Sequence, residues 1–61
     1  MKTSELKRLL KKAGCEVSRE GANHEIWYSP KTGEYFPVPR HNGQELKTKT
    51  AESIMKAAGL K

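Results

Sequence analysis

Two histidines, His24 and His41, are the side chains of this 61-residue sequence best suited to proton transfer near neutral pH. An imidazole can accept a proton from an attacking hydroxyl or return one to a departing oxygen. His24 follows the turn-forming stretch Glu20-Gly21-Ala22-Asn23 and opens a run of strong strand formers, His24-Glu25-Ile26-Trp27-Tyr28. His41 lies in the loop Pro39-Arg40-His41-Asn42-Gly43. Each also has a plain structural reading. His24 could bond a backbone group of its turn, and His41 could cap the following helix or stack on a neighbour.

Around these histidines the charge is strongly positive. Twelve Lys and Arg stand against seven Glu, with no Asp, for a formal net charge of +5. A surface of that kind attracts polyanions, either nucleic-acid phosphate or an acidic protein. Cleaving RNA without a metal needs a base for the 2′-hydroxyl, an acid for the leaving 5′-oxygen, and cations around the phosphorane. His24 suits the first task, His41 is a candidate for the second, and Lys and Arg are plentiful. Other chemistries lack their residues. One cysteine excludes an internal disulfide, and Cys15, His24 and His41 are not spaced as zinc ligands. Scattered Glu without Asp offers no paired-carboxylate metal site, and no Gly-rich phosphate loop is present. Neither a metal nor a cofactor is expected. No apolar run approaches the roughly 18 residues of a membrane span. With no apolar signal segment after Met1, a cytoplasmic protein without membrane contact is expected.

The elements that must position these groups follow from periodicity. The length allows one domain, residues 1–61. Leu6, Leu9, Leu10 and Ala13 recur at the spacing of one helix face. Lys7, Arg8, Lys11 and Lys12 occupy the opposite arc. Thr3 or Ser4 is placed to cap this helix, and Gly14 to end it. Three strands are predicted next: one around Cys15–Arg19, one over His24–Tyr28, and one over Glu34–Val38 after the tight connection Ser29-Pro30-Lys31-Thr32-Gly33. Pro37 cannot donate to a ladder and predicts that the third strand is an edge. Ala51, Ile54, Met55 and Ala58 predict a last helix, capped by Thr48 or Thr50 and ended by Gly59, with Leu60 packing back. The fold class is α+β in the order α-β-β-β-α, a three-stranded antiparallel sheet with both helices on one face. Cys15, Val17, Ile26, Phe36 and Val38 are expected to meet Leu6, Leu9, Leu10, Ile54 and Met55. Trp27 has the opposite parity from Ile26 and is expected outward, free to stack a base or anchor a partner; the converse parity would bury it.

Across nearly its full length the sequence resembles the HicA family of toxin ribonucleases. The resemblance is carried by Ser4-Glu5-Leu6 in a helix ending Ala13-Gly14, by Gly21-Ala22-Asn23-His24 before Ile26-Trp27, and by Val38-Pro39-Arg40-His41. Glu45-Leu46 and the stretch from Thr50 through Ile54-Met55-Lys56-Ala57-Ala58-Gly59-Leu60 complete it. It implies a fold like the double-stranded-RNA-binding domain. It implies a toxin of a type II toxin-antitoxin system, an endoribonuclease that cuts messenger RNA with His24 as its catalytic histidine. It also implies a HicB-type antitoxin that covers that histidine, with contact to DNA only through the antitoxin. Arg40, Lys47 and Lys49 join Lys7, Arg8, Lys11 and Lys12 as candidates to bind RNA. Trp27 and His41 are candidates for the antitoxin interface, His41 also for a second acid or base. The competing family is the double-stranded-RNA-binding domain itself, a binding module without catalysis. Gly21 to His24 satisfies its Gly-x-x-His turn, but Lys47-Thr48-Lys49-Thr50-Ala51 only faintly echoes its last-helix cluster.

Overall fold

A computed structural model describes residues 1–60. The elements are α1 (Thr3–Lys12), β1 (Glu16–Glu20), β2 (His24–Ser29), β3 (Glu34–Pro39) and α2 (Thr48–Ala58). The three strands form one antiparallel sheet in the order β1-β2-β3, so the proline-bearing β3 is an edge strand as its sequence requires. Leu6 and Leu10 of α1, Ala51, Ile54 and Ala58 of α2, and Cys15, Trp27, Phe36, Val38 and Leu46 make one buried cluster. Both helices therefore cover the same sheet face.

The helices end alike. Gly14 and Gly59 take positive φ, at 91° and 82°. The amide after each glycine then reaches back into the last turn: Cys15 N–H to the Leu10 carbonyl at 2.9 Å, Leu60 N–H to that of Met55 at 2.8 Å. Ser29, the last residue of β2, and Thr32 of the β2–β3 connection donate their hydroxyls to the Ala58 and Ala57 carbonyls at 2.8 and 2.6 Å, fixing the end of α2 against the sheet. The helix starts depart from expectation. No side-chain cap forms at either one, where Lys2 and Lys47 are the N-cap residues. The first amides of α1 are instead satisfied by loop carbonyls, Thr3 N–H by Gln44 at 2.9 Å and Ser4 N–H by Asn42 at 3.0 Å.

Trp27 corrects the parity read from sequence: it is 1% exposed, at the centre of the core. Alternation allows only two choices for β2. Either His24, Ile26 and Tyr28 face the helices, or Glu25, Trp27 and Ser29 do. The second wins because it buries the largest apolar side chain of a small domain, and because Glu25, which would forbid it, is compensated. The indole N–H donates to Glu25 Oε1 at 3.1 Å, and Lys7 Nζ lies 3.0 Å from the same oxygen. The remaining strand face carries half-buried Ile26 and the pair Tyr28–Tyr35, with ring centroids 4.8 Å apart. Leu9 and Val17, also expected in the core, are 38% and 39% exposed. Trp27 is thus not available as an interface residue.

Lys7 is corrected with it. Its ammonium also donates to the Arg40 carbonyl at 3.2 Å and to Asn42 Oδ1 at 2.8 Å, tying α1 to β2 and to the loop after β3. A lysine so engaged holds structure and is not free for phosphate. Burial pushes the Glu25 carboxyl up, but hydrogen bonds from Lys7 and Trp27, with the charges of Lys7 and Arg40, outweigh it and hold the group below its ordinary value of 4.5. A depressed carboxyl contributes stability that is present above the unfolded-state value and is lost as pH falls through the folded one. The thermal midpoint is therefore expected to drop on acidification below about pH 4.5. Glu25→Gln should flatten that part of the profile in thermal scans across pH. Parallel wild-type and variant profiles would exclude Glu25 as the source.

Candidate active site

His24 stands at the first position of β2, paired with Pro39 across the ladder. The turn before it is closed by Gly21 N–H donating to the His24 carbonyl at 2.7 Å. A Cβ on residue 21 would lie 2.9 Å from that carbonyl oxygen, so glycine is needed for this close approach. Arg40 clamps the turn from the end of β3. Its guanidinium donates to the Gly21 carbonyl at 3.1 Å and its backbone N–H to the Asn23 carbonyl at 3.3 Å. Its other terminal nitrogen lies 3.9 Å from Glu20. Arg40, expected among the phosphate ligands, is in the first place the residue that positions the histidine.

The His24 side chain is exposed and opens into a cleft of about 350 Å³, lined also by Pro39, by Gln44 to Lys47, and by Thr50. Its parity is opposite to that of the buried Trp27, so it does not lie beneath the helices. It reaches their rim because it begins the strand, where the sheet ends and the chain leading into α2 crosses over. Among the described residues no group hydrogen-bonds its imidazole. The wall opposite is the N-terminus of α2. That helix has no capping side chain and no acidic residue in its first turn, and its first intrahelical bond is Ala51 N–H to the Lys47 carbonyl. The amides of Thr48, Lys49 and Thr50 precede that bond, with the positive end of the helix dipole behind them. In α1 the amides of Thr3 and Ser4 are taken by loop carbonyls; in α2 no such partner forms among the described residues, and of its first turn Thr50, with Lys47 before it, lines the histidine's cleft. Lys47 is exposed and lines the cleft with His24, and Lys49 is exposed two residues further on, so the start of α2 that borders the cleft is cationic.

The other expected residues are distributed elsewhere. Arg8 and Lys11 are exposed and, with Ser4, Lys7 and Asn42, line a separate polar cleft along α1 of about 320 Å³. Lys12 is exposed near the end of the same helix. His41 is exposed in the loop after β3, does not line the His24 cleft, and accepts the Gln44 N–H on its carbonyl at 3.1 Å. The structure does not bring the two histidines into one cleft. Sequence reading missed Gln44 and Thr50 as neighbours of His24. The one signal for them was the run Lys47-Thr48-Lys49-Thr50, which starts a helix without an acidic residue. Among the described residues no group of three or more His, Cys, Asp or Glu could hold a metal ion, and no helix is long and apolar enough to cross a membrane.

Comparison with known proteins adds to this geometry. Residues 3–60 match the family described as the HicA toxin of bacterial toxin-antitoxin systems. The chain is 41% identical over 61 residues to a probable mRNA interferase HicA 1 of Photorhabdus laumondii, covering 98% of this chain and 100% of that one. Among solved structures it is similar to a chain of the E. coli HicAB toxin-antitoxin complex. The TM-score is 0.81 and the identity 33%, over 98% of this chain and 100% of that one.

Proposed function

The chain belongs to the HicA toxin family, and from that premise we propose that it is the toxin of a type II pair, an endoribonuclease that cleaves messenger RNA with His24 as general acid and base. The observation that carries the reading is His24 itself, an exposed imidazole in a cleft bordered by Lys47 and Thr50 at the start of α2, whose first amides have no capping side chain. A scissile phosphate seated on those amides, with Lys47 and Lys49 nearby, places the adjoining 2′-hydroxyl beside the imidazole. His24 takes the hydroxyl proton as the 2′-oxygen attacks phosphorus. The imidazolium so formed returns the proton to the leaving 5′-oxygen. The amides and lysines stabilise the charge that grows on the phosphorane. The products are a 2′,3′-cyclic phosphate and a 5′-hydroxyl, and no metal enters the scheme. Arg8, Lys11 and Lys12 form a second cationic surface that guides RNA from a distance. A HicB-type antitoxin silences the toxin by covering His24; the E. coli complex supports a partner of that class.

The test is cleavage of an end-labelled RNA by the purified chain in excess chelator. Cyclic-phosphate ends should form, and a 2′-deoxy nucleotide at the cleaved position should resist. In a salt series, replacing Arg8, Lys11 and Lys12 with Gln should flatten the dependence of binding on ionic strength. Tight RNA binding with no cut would leave a binding module of the double-stranded-RNA type.

A further inference from the structure

The cleft of His24 does not stop at Thr50. That residue also lines a second groove of about 340 Å³, between β3 and the outer side of α2. The floor of this groove is apolar, made by Phe36, Pro37, Ile54 and Ala57. Its rim is polar and cationic, made by Thr50, Ser53 and Lys49. The two depressions also border neighbouring positions of β3. Pro39 lines the first and Pro37 the second, two strand positions or about 7 Å apart. No carboxylate lines the second groove, so nothing there repels a polyanion.

We infer that this groove seats one nucleobase of the RNA substrate, the base adjoining the phosphate at His24, with Thr50 and Ser53 reading its edge. The inference rests on the nuclease reading above and assigns a specificity-determining pocket to it. A nucleobase has flat apolar faces and a polar perimeter, and the groove offers the same division. Two hydroxyls can each donate or accept, so they can distinguish one base edge from another. Lys49 lines the groove and supplies a cation for the phosphate backbone that carries the base. The step from cleft to groove is within the span of one nucleotide. Ser53 is exposed, so a larger side chain there fills the groove without entering the core.

The experiment uses short RNAs that the wild type cleaves, with a single abasic nucleotide walked through the positions flanking the cut. At one flanking position loss of the base should lower kcat/KM about tenfold, within the range for stripping one stacked base. Ser53→Leu, checked for folding by circular dichroism, should lower kcat/KM on the intact RNA by a similar factor. It should also abolish the abasic penalty, since the base no longer enters. A wild type indifferent to abasic flanks on both sides overturns the groove assignment and leaves the His24 reading standing. So does a Ser53→Leu chain that keeps both rate and penalty. If Ser53→Leu cleaves normally but is no longer silenced by the antitoxin, the groove is a protein interface and the assignment fails. A wild type that cleaves no RNA overturns both readings.

Discussion

Replacing His24 with Ala should lower the rate of RNA cleavage by about 10²–10⁴, the usual cost of removing a general acid or base. The fold should be unaffected. The side chain is exposed, and the turn beneath it is held by backbone groups, Gly21 N–H on the His24 carbonyl and Arg40 N–H on the Asn23 carbonyl. RNA affinity should change little, because the cationic side chains beside the cleft and along α1 remain in place. The antitoxin should still bind, since a stable interface buries about 800 Å² per partner and does not depend on one imidazole. The informative comparison is therefore kcat against binding. A loss confined to kcat supports proton transfer. Equal cleavage by a well-folded His24→Ala chain would remove the residue from the chemistry and turn attention to His41, which lines no part of this cleft.

Trp27→Ala should cost about 3–5 kcal/mol, as truncation of a buried aromatic does. A 61-residue domain has only about 3–9 kcal/mol in total at the usual stability per residue, so the variant should lose roughly a third or more of its stability, with a correspondingly lower urea midpoint. Two effects combine. The core loses its largest side chain, where both helices meet the sheet, and Glu25 loses the indole N–H that helps neutralise its partial burial. Trp27→Phe separates them, because it keeps most of the volume and removes only the donor. It should fold with a midpoint lowered by several degrees, as loss of about 1 kcal/mol does in a domain of this size. Urea unfolding of the three chains measures the series. A Trp27→Ala midpoint equal to that of the wild type would mean that the indole is not buried.

Much of the architecture was legible because local periodicity and tertiary demand agree. The leucine spacing of α1, the terminating glycines Gly14 and Gly59, and Pro37 on an edge strand are each set by the chain's own covalent geometry. His24 was likewise visible, as an imidazole after a glycine turn. The order of elements was thus determined by the sequence alone. The facing of β2 was not. Period two leaves two equivalent choices, and the choice depends on whether Glu25 finds a cation eighteen positions upstream. A contact of that separation exists only once α1 lies across the sheet. The same contact decided that Lys7 is structural while Arg8 and Lys11 are free. The end of α2 beside His24 was also a tertiary outcome. Thr48 and Thr50 read as caps because local bonding favours them, yet no hydroxyl cap forms at that helix start. Loop carbonyls satisfy the first two amides of α1, while the chain crossing before α2 brings Lys47 and Thr50 to the cleft of His24. Alternation along a strand and helix periodicity specify which residues share a face. Which face is covered, and which groups are left without partners, is decided by contacts between segments far apart in the chain.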